Sequence, residues 1–102
     1  MKVTINGKEI NVTLRMGAYL TYERLYGKDF SEEKVSDTAF LRLMHAAYRN
    51  ECELSHETGV SEEEFFSSIS QDDFLSFYEA EVIPQLKKNM KFQQRVKTLL
   101  SE

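Results

Sequence analysis

Apolar and polar residues alternate at the start of the chain and then change period. Up to Val12 the apolar positions are Met1, Val3, Ile5, Ile10 and Val12, with Asn6-Gly7 between the two runs. Asn-Gly is the preferred pair for a two-residue type I′ turn, so residues 2–14 are expected to form a β-hairpin. Pairing Ile5 with Lys8 sets Val3 against Ile10 and Met1 against Val12, while Thr4 meets Glu9 and Lys2 meets Asn11. That register gives one apolar and one polar face, which a slip of one residue would mix. Two strands alone are marginal in water, so the apolar face must lie on helices.

Helical spacing takes over at Met16. Met16, Tyr19, Leu20, Tyr22, Leu25 and Tyr26 recur at helical intervals, and Gly27 supplies a left-handed stop. Tyr19, Tyr22 and Tyr26 are expected along one side of this helix, with rings buried and hydroxyls at the rim. A second helix is predicted over Asp37 to Leu54. Between Ala39 and Tyr48 only Arg42 and His45 interrupt its apolar run, a stripe too wide for a helix with one face in water. It should be the most buried element.

Three serines mark further helix starts. Ser36, Ser61 and Ser70 each follow an apolar residue and precede a phenylalanine at the fourth helical position: Val35 with Phe40, Val60 with Phe65, Ile69 with Phe74. This is the pattern of an N-cap inside a hydrophobic staple, and Glu64 and Asp73 add acids at the capping-box position. Phe30-Ser31 before Val35 is a weaker fourth case, enough for a single turn. A short helix is thus expected from Glu62 to Ile69 and a longer one after Ser70. Pro84 removes a backbone donor and crowds the Ala80 carbonyl, at about 3 kcal/mol in a helix interior, so a kink or break is expected there. Beyond it Leu86, Met90, Phe92, Val96, Leu99 and Leu100 alternate with Lys87, Lys88, Lys91, Arg95 and Lys97, a basic amphipathic helix or tail. The predicted class is α+β: an N-terminal antiparallel hairpin followed by a mostly helical bundle of four to five helices. At 102 residues the expectation is one domain, with hairpin 1–14, helical body 15–83 and tail 84–102.

Composition adds an aromatic core, since seven Phe and five Tyr stand against no Trp. A single cysteine, no apolar run near twenty residues and no basic-then-apolar leader lead to the expectation of a cytoplasmic protein without a membrane segment. Charge is uneven. Residues 1–15 hold three bases and one acid, residues 16–86 five bases and fifteen acids, and residues 87–102 five bases and one acid. An acidic body argues against nucleic acid as the main ligand, because phosphate binding needs a broad positive face. The basic tail keeps a small nucleic-acid-binding regulator or adaptor as the alternative.

Site chemistry is sparse. His45, Cys52 and His56 are the candidate metal ligands, and Cys52 and His56 could share a helix face, but two ligands without a second pair make a weak zinc signal. His45, set among Met44, Ala46 and Ala47, reads as a core-edge histidine with one ring nitrogen bonded. His56-Glu57 begins an HExxH motif that fails at Val60. No serine lies in a GxSxG elbow, and the four glycines form no phosphate loop. The acids Asp72, Asp73 and Glu62 to Glu64 sit where helix dipoles favour carboxylates. No catalytic, metal-binding or cofactor-binding residue is assigned.

Taken together, the NGK turn (Asn6-Gly7-Lys8), the helix ending Tyr22-Glu23-Arg24-Leu25-Tyr26-Gly27-Lys28-Asp29-Phe30, the apolar helix Ala39 to Arg49 and the acidic Glu63-Glu64-Phe65 form a pattern. It resembles the small tail assembly chaperones of tailed bacteriophages and prophages over about residues 1 to 80. The resemblance implies a non-enzymatic protein in the cytoplasm of the bacterial host. Such a protein binds the tape measure protein, keeps its long apolar helices soluble and helps recruit tail tube subunits, without remaining in the finished particle. Under that resemblance the candidate partner-binding residues are Tyr19, Tyr22 and Tyr26 with the hairpin face, and Lys87, Lys88, Lys91 and Arg95 of the tail. The exposed edge of the hairpin adds self-pairing as a route to a homo-oligomer.

Overall fold

A computed structural model describes residues 1–86. Strands β1 (Lys2–Ile5) and β2 (Lys8–Asn11) pair antiparallel in the register set by the alternation, Lys2 opposite Asn11, Val3 opposite Ile10, Thr4 opposite Glu9 and Ile5 opposite Lys8. Asn6 and Gly7 both take positive φ, 53° and 76°, as a type I′ turn demands. Val3, Ile5 and Val12 are buried, each contributing about 1.5–3 kcal/mol by leaving water.

Helix α1 (Met16–Tyr26) ends at Gly27 in the left-handed conformation, whose N–H bonds the Glu23 carbonyl. Its contact with α2 (Asp37–Leu54) is the principal helix packing of the fold. Ala18, Ala46 and Ala47 are fully buried, and such short side chains let two helices approach closely. The α1 face turned inward carries Ala18, Thr21 and Tyr22, whereas Met16 and Leu20 are 80% and 65% exposed. The six apolar positions of α1 therefore do not form one core stripe. Helix α2 buries eleven of its residues, among them Leu43 and Met44, and is the scaffold that the apolar run predicts.

The serine caps are present. Ser36 accepts from the Ala39 N–H, Ser61 from the Glu64 N–H and Ser70 from the Asp73 N–H. They open α2, α3 (Glu62–Ser68) and α4 (Gln71–Phe77) respectively. Only at Ser70 is the box reciprocal, because Glu64 turns instead to the Asn6 amide at 2.8 Å and ties α3 to the hairpin turn. The staple at Val35 does not form. Val35 is 75% exposed, while Phe40 packs on Phe30 and Tyr78 at centroid distances of 5.8 and 5.3 Å, so remote aromatics displace the local partner. The turn Phe30–Glu32 is capped by Asp29 rather than Ser31.

No break falls at Pro84. Instead α4 passes into a π-helical turn at Tyr78–Val82, closed by the Ile83 N–H on the Tyr78 carbonyl, and helical backbone resumes over 83–86. An α-helix turns about 100° per residue, which would place residues five apart on different faces. The wider turn lets Phe77 and Val82 both enter the core, at 0% and 2% exposure. Glu81 faces the hairpin end, where it accepts from the Met1 amine and the Leu14 N–H. Residues Lys87, Lys88, Lys91 and Arg95, with the rest of the predicted basic helix, lie outside the described residues.

Candidate functional site

The three tyrosines of α1 part company in the structure. Tyr22 is fully buried, its ring 4.7 Å from Tyr26 and 5.3 Å from Phe30. It belongs to the core, and a partner docking on the folded surface would meet its neighbours instead. The Tyr22 hydroxyl lacks a protein hydrogen-bond partner among the described residues. Burial raises its pKa, and Glu33 adds to the rise while Arg42 opposes it. The hairpin's apolar face is likewise turned into the core, leaving Lys2, Thr4, Glu9 and Asn11 outward.

Tyr26 and Tyr19 lie at the rim. The Tyr26 hydroxyl is 3.1 Å from His45 Nδ1, and His45 Nε2 is 3.3 Å from the Val60 carbonyl. A carbonyl can only accept, so Nε2 carries the proton and donates to Val60, while Nδ1 accepts from the tyrosine. Both nitrogens of the neutral ring are thereby used, one more than the sequence reading assigned. Burial lowers the His45 pKa, a trend that Arg49 reinforces and that the Val60 carbonyl and Glu62 oppose. Burial also raises the Tyr26 pKa well above the ordinary phenol range, with Glu62 adding to the rise. The same loop is strapped to α2 by the Val60 N–H on the Tyr48 hydroxyl and by Arg49 Nη1 on the Val60 carbonyl. Gly59 permits this approach, since a Cβ there would stand 2.7 Å from Arg49 Cδ. His45 thus holds structure together.

Cys52 is a buried free thiol whose pKa burial pushes up, which suppresses the reactive thiolate. Among the described residues no cluster of three metal-ligating side chains is found, and no helix is long and apolar enough to cross a membrane.

Tyr19 leads to an open apolar groove of about 290 Å³. Its floor is Leu14, Phe30, Phe40 and Leu43, and its walls are Tyr19, Val35, Val82 and Leu86. Val35 and Leu86 are 75% and 43% exposed, while Asp29 and Glu33 place carboxylates on the rim. Bonds from the Ser31 N–H and hydroxyl hold the Asp29 carboxyl below its ordinary pKa. Four parts of the chain build this groove: the stretch from Leu14 into α1, the turn after α1, Phe40 and Leu43 of α2, and the helix from the end of the π turn onward. Sequence spacing missed Val35, read as a staple residue, and Leu86, read as part of the tail. Comparison of the chain with protein-family models, curated proteins and solved structures finds no match.

Proposed function

We propose that this protein is a non-enzymatic assembly chaperone of phage or prophage tails, which binds the tape measure protein and the tail tube protein during tail morphogenesis in the host cytoplasm. The observation that carries the reading is the groove between Tyr19, Val35 and Leu86, an exposed apolar trough with carboxylates at its edge. An amphipathic helix fits such a trough, with apolar anchors on the floor and lysine or arginine near Asp29 and Glu33. Long apolar helices are what the resemblance gives to the tape measure protein, and covering part of one would keep it soluble. The sequence pattern from the NGK turn to Glu63-Glu64-Phe65 supports the same reading.

The test is co-purification of the tagged full chain with a helical tape measure fragment from the same genome. Capture by the parent and loss with Val35→Asp combined with Leu86→Asp is the expected outcome. Both positions are exposed, so thermal melting should hold while capture fails. A folded parent that retains no fragment overturns the proposal.

A further inference from the structure

The groove beside Tyr19 is open and apolar, and the charge on its rim is unanswered within the fold. Val35 and Leu86 on its walls are 75% and 43% exposed. Asp29 and Glu33 form no ion pair among the described residues. The stretch that carries them, residues 28–37, holds four acids and two bases. An apolar trough left bare is a site of association, so it calls for an occupant.

The chain supplies a segment of matching chemistry at the lip of the groove. Gln85 and Leu86 line it, and they are the last described residues before 87–102. Residues 87–102 hold five bases and one acid, opposite in sign to the rim, with Met90, Phe92, Val96, Leu99 and Leu100 set between the charges. Phe92 is the sole aromatic residue after Tyr78. Contact between rings is favourable at a site lined by Tyr19, Phe30 and Phe40. Phe92 follows Leu86 by six residues, a reach of at most about 20 Å, which is enough to double back over the groove. Tethering also sets an effective concentration on the order of millimolar, so a segment of the same chain outcompetes that of a second copy in dilute solution.

We propose that residues 87–102 cover this groove in the free protein, with Phe92 against Phe30 and Phe40 and with Lys91 or Arg95 at Asp29 and Glu33, and that a partner must displace them to bind. The covering stands on the groove and the sequence alone, whereas the displacement rests on the reading of the groove as the tape measure site. The segment then acts as a built-in competitor that shields the apolar walls until a better ligand arrives.

The test is NMR on the ¹³C,¹⁵N-labelled full chain without any partner. Nuclear Overhauser contacts are expected from the Phe92 ring protons to the Val35 methyl groups and the Tyr19 ring, and Phe92→Asp should shift the Val35 methyl signals. Phe92→Asp should also tighten capture of the helical tape measure fragment about tenfold, as for a groove covered about nine-tenths of the time. Absence of the Phe92 contacts in a folded chain overturns the proposal. Contacts found only between differently labelled copies overturn it too, since they seat a second molecule's segment in the groove. Weaker capture by Phe92→Asp overturns the competition, because the segment would then be aiding the partner. A fragment captured by neither the parent nor Phe92→Asp overturns the tape measure reading and displacement with it, while the Phe92 contacts still decide the covering.

Discussion

Met44 has no exposed surface and lies where α2 meets the rest of the core. A carboxylate there would be buried without a partner, so Met44→Asp should unfold the chain, read as loss of the cooperative urea transition. Tyr22→Phe has the opposite expectation. It removes a buried hydroxyl that has no protein partner among the described residues, so stability should be unchanged or higher by up to about 1 kcal/mol in urea unfolding. His45 sets a pH dependence. Its folded pKa lies below the ordinary 6.5, so the unfolded chain binds more protons as pH falls through 6.5. Its contribution is complete above that value and is lost between 6.5 and the folded pKa. The unfolding midpoint should therefore drop on going from about pH 7.5 to pH 5.5, and His45→Gln should flatten that slope. Residue identity made His45 legible as a core histidine, but its second partner, Tyr26, comes from a helix nineteen residues away in sequence.

Among the elements, the legible ones are those whose signals are local. The hairpin register follows from alternation around Asn6-Gly7, and the starts of α2, α3 and α4 follow from serines bonding backbone three residues on. Ser70→Ala breaks a two-way box and should cost about 1 kcal/mol by chemical denaturation, with a smaller loss for Ser61→Ala, where the return bond is missing. What local signals do not decide is which of two apolar flanks a helix buries. On α1 the inward face carries the small Ala18 with Thr21 and Tyr22, and Met16 and Leu20 are left outside. Val35 is left out as well, since Phe40 finds larger aromatic partners in Phe30 and Tyr78. The groove was hidden in the sequence because its walls come from three separated segments.

For the whole molecule, residues 1–86 hold eight bases and sixteen acids, a distribution that suits basic or amphipathic protein partners better than phosphate backbones. A short DNA duplex should not shift with the full chain at physiological salt. Binding that falls steeply with added salt would instead move function to Lys87, Lys88, Lys91 and Arg95. The π turn at Tyr78–Val82 amounts to one extra residue inserted into an otherwise continuous helix, and it acts as a phase setting. Every side chain after it is rotated relative to α4, which is how Leu86 comes to wall the groove that Tyr19 and Val35 begin. Deleting the exposed Glu79 would leave Phe77 and Val82 four apart in an uninterrupted α-helix, still on one face, so the core and the wall at Leu86 should be kept. Inserting a residue there would instead put them six apart, where they could no longer share the core, at a cost of about 2 kcal/mol read by urea unfolding. The orientation of a binding surface in this protein is therefore encoded by the number of residues between two core contacts.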